Sequence, residues 1–549
     1  MSPGRHGHRA PLLWLLLPAI AGLTAGRLVD APPRPLLVAS GLLIAAAVPC
    51  AWGPGTWTRR LWPATFVTAV GLAAAAYYHL CFDRPPAWER LPAREARLTL
   101  NVRSTFASSL AGRRANGLAV VADAGRHLRD LVGERLYFSC SLPPGTELPL
   151  RSSEIAIIGV VEPLPRHPAD GSFTAFLVNA GMSFQLTRGR FIGPVAPASA
   201  YQEFCHAAAG RFRSILGLGL ADHPALAAIL RAMMLGQTQE LDPEQKGLFM
   251  RSGTLHLFAI SGQQITVIAL SLQAALMLLR VPRLPAALLG LAALWFYVEV
   301  TGTSPSAVRA FLMCALFIAA ATWRRAGSIF SALVASALVV LAADPAALFS
   351  ASFQMSYEIV AALLLLGVPL AEALQARWPL FPDLPEASWR RHHRLAAWGW
   401  RGLLGLLGVG VATALASTLT SVQFFRLLTP GALPANLALI PTSSLVIGAG
   451  FVSLLFGLAG LPAGSCLFNH AGALLLWLMD RFLRAATAIP GLFLPAHFSP
   501  AWLGPAGQAA LVAVCLAGSA WRWRRERGGF WPPFVLVALL LLLGVKFGA

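Results

Sequence analysis

Charge is what this chain has least of. Only 12% of its 549 residues are Asp, Glu, Lys or Arg, against 56% hydrophobic residues and a mean hydropathy of +0.63. Soluble domains carry about 25% charged residues, so this composition excludes an ordinary soluble globular protein. Cysteine is sparse as well: there are seven, and Cys50, Cys314, Cys466 and Cys515 lie in apolar stretches where they act as small hydrophobes. Cys81, Cys140 and Cys205 lie in or beside a more polar region and are candidates for a disulfide if that region is outside the cytoplasm, with the pairing open. No Gly-x4-Gly-Lys-Ser/Thr loop occurs, so ATP hydrolysis falls to a partner. The adjacent His392 and His393 have no carboxylate or thiolate close by in sequence, and no metal site is expected there.

What the chain has in abundance is apolar runs of about 20 residues, the length that crosses hydrocarbon. They fall near 12–29, 36–52, 61–82, 255–280, 285–301, 306–323, 326–343, 352–371, 402–425, 435–460, 466–488, 505–521 and 531–548. The expected fold is therefore a polytopic α-helical membrane protein of eleven to thirteen spans. The first run follows "RHGHR" in the manner of a signal peptide, but two more runs follow at once and it reads as a retained span. The net charge of +19 admits an anionic partner, yet the basic residues cluster in loops. Arg59-Arg60, Arg280 with Arg283, Arg324-Arg325, "WRRHHR" (389–394) and "RWRRER" (522–527) all fall on one side if the N-terminus is cytoplasmic. "DRFLR" (480–484) does not fit this alternation and suits an interfacial helix.

Between 83 and 200 the pattern changes to short alternating runs, "RLTLNVR", "GLAVVAD", "ERLYFSC", "EIAIIGVVE" and "MSFQLTR", separated by turn-rich stretches. Four or five strands of this kind predict a small antiparallel barrel or sandwich, placed outside the cytoplasm by the same alternation of loops. The stretch holds 14 arginines, no lysine and 10 acidic residues, a net of +4 and too mild for a nucleic-acid footprint by charge alone. The expected organisation is membrane helices over 1–82, the β domain over 83–200, amphipathic interfacial helices over 201–250, a channel-like bundle over 251–490 and further spans over 491–549.

Polar groups at membrane depth are the candidates for function. "GTLHLFAISGQQITVIALSL" (253–272) carries His256, Ser261, Gly262, Gln263 and Gln264, and a break in a spanning helix is tolerated where backbone lines a cavity or is buried in protein. Glu299 precedes "TGTSPSAVR", and Arg309 enters the next span. "DPAALFSASFQMSYEIV" brings Asp344, Gln354, Ser356 and Glu358, and "LPANLALIPTSS" interrupts a span with Asn436 and two prolines. Two readings stand: the groups wet an aqueous route, or they bond neighbouring helices, with Arg309 paired to Glu299 or Glu358.

Four blocks, "LGQTQELDPEQKGLFMRSGTLHLFAISG", "TGTSPSAVRAFLM", "DPAALFSASFQMSY" and "PANLALIP", occur in the order and spacing of the competence domain, and together the chain resembles the ComEC-type family of DNA-uptake channels over about residues 1–490. "PADGSFTAFLVNAGMSF" (168–184) is similar to a segment of that family's extracytoplasmic OB-like domain. The resemblance implies a multi-pass channel of the bacterial inner membrane, passing single-stranded DNA into the cytoplasm during natural transformation, with a surface DNA receptor and a cytoplasmic motor ATPase as partners besides membrane lipid. It carries no catalytic residue and no cofactor. The positions carried over are Gly253, His256, Ser261, Gly262, Gly302, Ser304, Pro305, Arg309, Asp344, Gln354, Ser356, Asn436 and Pro441.

The departures are specific. The family usually reads Leu-His after the Ser-Gly pair, where this chain has Gln263-Gln264, and Glu299 and Glu358 stand where it is commonly apolar. Many members also carry a C-terminal metallo-β-lactamase-like domain; no His-x-His-x-Asp-His cluster occurs here, and a form lacking that domain is expected. A polytopic transporter or lipid-substrate membrane enzyme sharing the fold is the alternative function, since a fold does not determine its cargo.

Overall fold

The computed structural model describes residues 11–52, 56–82, 88, 91–107, 114–165, 168, 172–251, 254, 260–322, 328–489 and 491–548. It divides into two units, residues 1–210 with 334–350, and residues 211–333 with 351–549.

The first unit opens with three apolar helices, α1 (Leu13–Leu28), α2 (Pro33–Trp52) and α3 (Thr56–Cys81). Small residues decide how α1 meets α3: a Cβ at Gly22 would sit 2.0 Å from the Gly71 carbonyl oxygen, and one at Gly26 3.0 Å from that of Ala75. In lipid, where no hydrophobic force pulls helices together, such close approach supplies the dispersion contact that holds them. Ser40 Oγ donates to Ala69 O at 2.8 Å and ties α2 to α3.

The alternating runs then form β1 (Arg94–Ala107), β2 (Arg114–Ala124), β3 (Arg135–Ser141), β4 (Glu154–Pro163) and β5 (Phe184–Ala196), with the short helix α4 (Phe173–Asn179) between the last two. Their order is β1-β2-β3-β5-β4, closed on itself. Every second side chain points inward, and Leu98, Leu100, Leu136, Phe138, Ile157 and Leu186 are fully buried there. The structure corrects the antiparallel expectation at one place: β3 and β5 run parallel. Alternation reports which face of a strand is buried, not which strand it pairs with; the pairing needs the crossover through β4 and α4.

The second unit contains the end of α5 (Ala200–Gly217), α6 (Pro224–Leu235), α7 (Pro243–Arg251), α8 (Gly262–Leu278), α9 (Arg283–Val300) and α10 (Pro305–Thr322). α11 (Ile329–Ala343) leads back to the first unit. α12 (Ala351–Ala362) runs through a π turn at Leu363–Gly367 into α13 (Val368–Arg377), and α14 (Arg391–Thr420) ends in another π turn at Ser421–Phe425. α15 (Ala432–Leu458), α16 (Pro462–Thr487), α17 (Leu503–Ala520) and α18 (Trp531–Gly544) complete the bundle. Three short strands, β6 (Leu427–Leu428), β7 (Leu494–Phe498) and β8 (Val545–Phe547), pair across its connections.

Among the described residues nine helices are long and apolar enough to cross a membrane. The protein is a polytopic helical membrane protein. The other four segments expected as spans are α1, α8 and α11, which are apolar but shorter as described, and α16, whose Asn469, His470, Asp480, Arg481 and Arg484 make it amphipathic. Helices lying on the membrane surface or packing over the bundle are the two readings of 201–250, and α6 is packed inside, with every residue from Ala227 to Leu235 buried except Arg231. Its apolar residues encircle it, and a helix apolar on all sides is a core helix.

The disulfide considered among Cys81, Cys140 and Cys205 is absent, and all three are free thiols. Cys140 points into the barrel core, where burial pushes its thiol up to about 11. The thiolate is the reactive form, so at pH 8 about one part in a thousand is available. Native protein treated with a maleimide at pH 8 is expected to leave Cys140 unlabelled by peptide mass spectrometry, with labelling rising on denaturation; fast labelling of the folded protein would contradict its placement.

Candidate functional site

Gly253 and His256 lie outside the described residues. Asp344 belongs to the first unit, where its carboxylate meets Arg135 of β3 at 3.2 Å. The three disulfide candidates are also in the first unit, and the remaining described motif positions lie in the second.

Ser261 and Gln264 start α8. Ser261 is extended and is the N-cap: its hydroxyl accepts from the Gln264 N–H, and the Gln264 side-chain oxygen accepts from the Ser261 N–H. This reciprocal box satisfies two of the N–H groups that a helix start leaves open. The same side chain then donates through Nε2 to Met233 O at 2.8 Å, one of the last carbonyls of α6. Gln264 is 2% exposed and joins the end of one helix to the beginning of another. Gln263 points to α15 instead. Its Nε2 lies 3.0 Å from Ile440 O, 3.0 Å from Ser443 Oγ and 2.8 Å from Ser444 Oγ. Both amides are thus spent on protein partners and act as bonds between helices.

The next block makes the α9–α10 turn. Gly302 sits at φ +87°, the left-handed position that favours glycine. Its N–H donates to Glu299 O and that of Thr303 to Val298 O, which closes the end of α9. Ser304 caps α10 by accepting from the Ala307 N–H at 3.3 Å, and Pro305 is its first residue, where a missing N–H costs nothing. Ser304 Oγ also lies 3.5 Å from Ile260 O, so the starts of α10 and α8 are neighbours.

Arg309 follows one turn on and is 3% exposed. Its guanidinium donates to Ser352 O at 2.7 Å and Ser352 Oγ at 2.9 Å, at the start of α12, with Ser306 Oγ at 3.4 Å. Its Nε–H finds no acceptor among the described residues. The ion pairs considered for it, with Glu299 or Glu358, are absent among the described residues: oxygen dipoles, not a carboxylate, hold the cation. Farther along α12, Gln354 and Ser356 are half-buried, while Glu358 is 7% exposed and its Oε1 lacks a partner among the described residues.

α15 corrects the expectation of a broken span. It runs unbroken over Ala432–Leu458, with Pro434 in its first turn and Pro441 inside. Pro441 cannot donate to the carbonyl one turn back, and the Ile440 carbonyl beside it takes the Gln263 amide. Asn436 is half-buried, and its Oδ1 has no partner among the described residues.

Sequence reasoning missed Ser306 and Ser352, the partners of Arg309, and also Asn469. Asn469 is fully buried in α16, donating to Ile215 O at 2.8 Å and Leu218 O at 2.9 Å, and accepting from Ser453 Oγ at 2.7 Å. An amide in the apolar run "SCLFNHAGALLL" was the available signal. A surface cavity of about 760 Å3 lined by Trp378, Trp400 and Leu404, and another of about 440 Å3 beside Glu244 and Arg484, contain none of the motif residues.

The profile of the family described as "Competence protein" matches residues 233–525, more than half of the chain. The chain belongs to the competence protein family. It is also 31% identical over 144 residues to ComE operon protein 3 of Bacillus subtilis (strain 168), a match covering 26% of this chain and 18% of that protein's length. No solved structure matches the chain. All positions from Gly253 to Pro441 lie inside the competence region.

At position 264 the family resemblance leads to the expectation of an imidazole, and the chain has Gln264. A neutral imidazole has one N–H donor and one acceptor nitrogen, the same pair of functions that Gln264 uses. Gln264→His is therefore expected to retain the fold. Gln264→Leu leaves the Ser261 N–H and Met233 O unpaired, at a cost of about 1–3 kcal/mol for each buried group. Thermal unfolding of the purified variants in detergent tests this: equal midpoints for Leu and wild type would show that the cap contributes nothing.

Proposed function

We propose that this competence protein is an inner-membrane channel passing single-stranded DNA into the cytoplasm, with the barrel as its OB-like, extracytoplasmic receiving domain. The observation that carries the reading is the chain of contacts linking the amino-terminal ends of α8, α10 and α12 about Arg309, inside the region that matches the family. Helix N-termini present N–H groups and the positive end of the peptide dipoles, which suits phosphate. One cation among serine hydroxyls makes contacts weak enough to release, whereas a dense basic lining would trap a polyanion. Arg309 now clamps α10 to α12, so passage requires these helix ends to part, and its unspent Nε–H is then joined by the donors freed from Ser352.

A closed five-stranded barrel fits the OB-like assignment, a class that binds oligonucleotides. The five basic loops support a cytoplasmic N-terminus. A surface DNA receptor delivers the strand and a motor ATPase pulls it in this scheme. One observation favours the alternative of a transporter or lipid-substrate enzyme: Glu358, a buried carboxyl whose Oε1 has no hydrogen-bond partner among the described residues, is unsuited to a route for a polyanion.

Deleting the gene and following labelled DNA separates the two. Loss of internalised DNA with surface binding intact is the expected result, and uptake that persists sinks the channel. Arg309→Ala is expected to reduce uptake about tenfold or more, since charge-assisted hydrogen bonds are worth about 1.5–3 kcal/mol each. Immunoblotting of the membrane fraction checks that the variant is inserted, and normal uptake by an inserted Arg309→Ala protein removes Arg309 from the site.

A further inference from the structure

The two faces of α4 have opposite surroundings. Ala175 and Leu177 are buried, and Leu177, completely so, packs with Leu164, Met182, Leu118 and Tyr137. On the other face Phe173 and Phe176 are 57% and 54% exposed. Their rings stack at 6.0 Å with planes 19° apart, and Tyr137 meets Phe173 edge-on at 5.2 Å. Three residues apart, they form one apolar face. We propose that this pair is a membrane anchor: Phe173 and Phe176 insert into the lipid headgroup layer and seat the barrel on the bilayer.

The height of α4 carries the argument. At its carboxyl end Asn179 Oδ1 accepts from Arg27 Nη2 at 2.8 Å, and Arg27 is in the last turn of α1. Just beyond, a Cβ at Gly181 would lie 3.3 Å from the ring of Phe82, the residue that follows the spanning helix α3. A helix rises about 1.5 Å per residue, so Phe176 is within about 5 Å of that level and Phe173 within about 9 Å. The polar layer of a leaflet is about 5–8 Å deep, so the backbone of Phe176 falls inside it and that of Phe173 near its outer limit.

Other aromatic groups mark the same level. The Arg27 guanidinium lies over the Phe349 ring at 4.3 Å, and Tyr78 packs on Phe82 at 5.2 Å and Phe349 at 5.9 Å. Aromatic belts gather at membrane interfaces because their rings suit the boundary. Stacked rings also suit nucleic-acid bases, but "SFTAFLVNAG" (172–181) itself contains no charged residue to hold a phosphate, and the two arginines at its end are engaged, Arg27 with Asn179 and Arg135 with Asp344. The composition favours lipid.

The test uses the full chain in phosphatidylcholine nanodiscs, with benzoylphenylalanine placed at Phe176 or, as a control, at Phe106, another exposed ring at the far end of β1. A single-stranded oligonucleotide is present during irradiation. About tenfold more lipid adduct at position 176 than at 106 is expected for a ring held in the headgroup layer. Equal or absent lipid adducts overturn the proposal, and so does crosslinking of position 176 to the oligonucleotide in place of lipid. The outcome does not depend on what the bundle transports.

Discussion

Every helix end inside a protein leaves four N–H or four carbonyl groups without partners, and an interior surrounded by hydrocarbon offers no water to receive them. The bundle depends on side chains that answer this demand. Gln264 bonds the start of α8 with one end of its amide and the last turn of α6 with the other. Ser304 caps α10, and Arg309 reaches the first residues of α12. Tyr297 donates from its hydroxyl to Met234 O beside the carbonyl taken by Gln264. Remove these links and α6, α8, α10 and α12 keep their apolar faces but lose what fixes their ends against each other.

The same residues that solve this structural problem create a chemical surface. Caps and dipoles point their positive ends toward α8, α10 and α12 starts that are already neighbours, and one buried cation is held there by oxygens alone. A cation without a carboxylate partner retains its field for an anion, while the surrounding hydroxyls keep that field from being bare. Glu358 is buried farther along α12, and its Oε1 has no hydrogen-bond partner among the described residues. Arg309, by contrast, is a buried cation held by hydroxyl and carbonyl oxygens.

In the first unit the backbone problem is solved differently. A closed barrel has no free edge, and its interior is filled by the inward residues of all five strands. What remains on its outside is α4, whose Leu177 is buried and whose Phe173 and Phe176 are not. Arg27 donates to Asn179 and so ties this helix to the end of α1.

The one-dimensional pattern alone determined the membrane class, the position of the β domain and the family blocks, because hydropathy over about 20 residues and alternation with period two are properties of the local chain. It also located Arg309 and Gln264 as unusual, since an ionisable or amide group in an apolar run is visible without coordinates. Tertiary structure decided what those groups do. The spacing Ser261-x-x-Gln264 is itself a capping-box pattern that a local reading can find; what no local pattern gives is the second bond of the same amide, to Met233 thirty-one positions away. Likewise Arg309 chose serine oxygens over Glu299 and Glu358, β3 took β5 as a parallel neighbour, and α15 kept its course through Pro441, each because the partner is supplied by a distant segment brought into contact by packing.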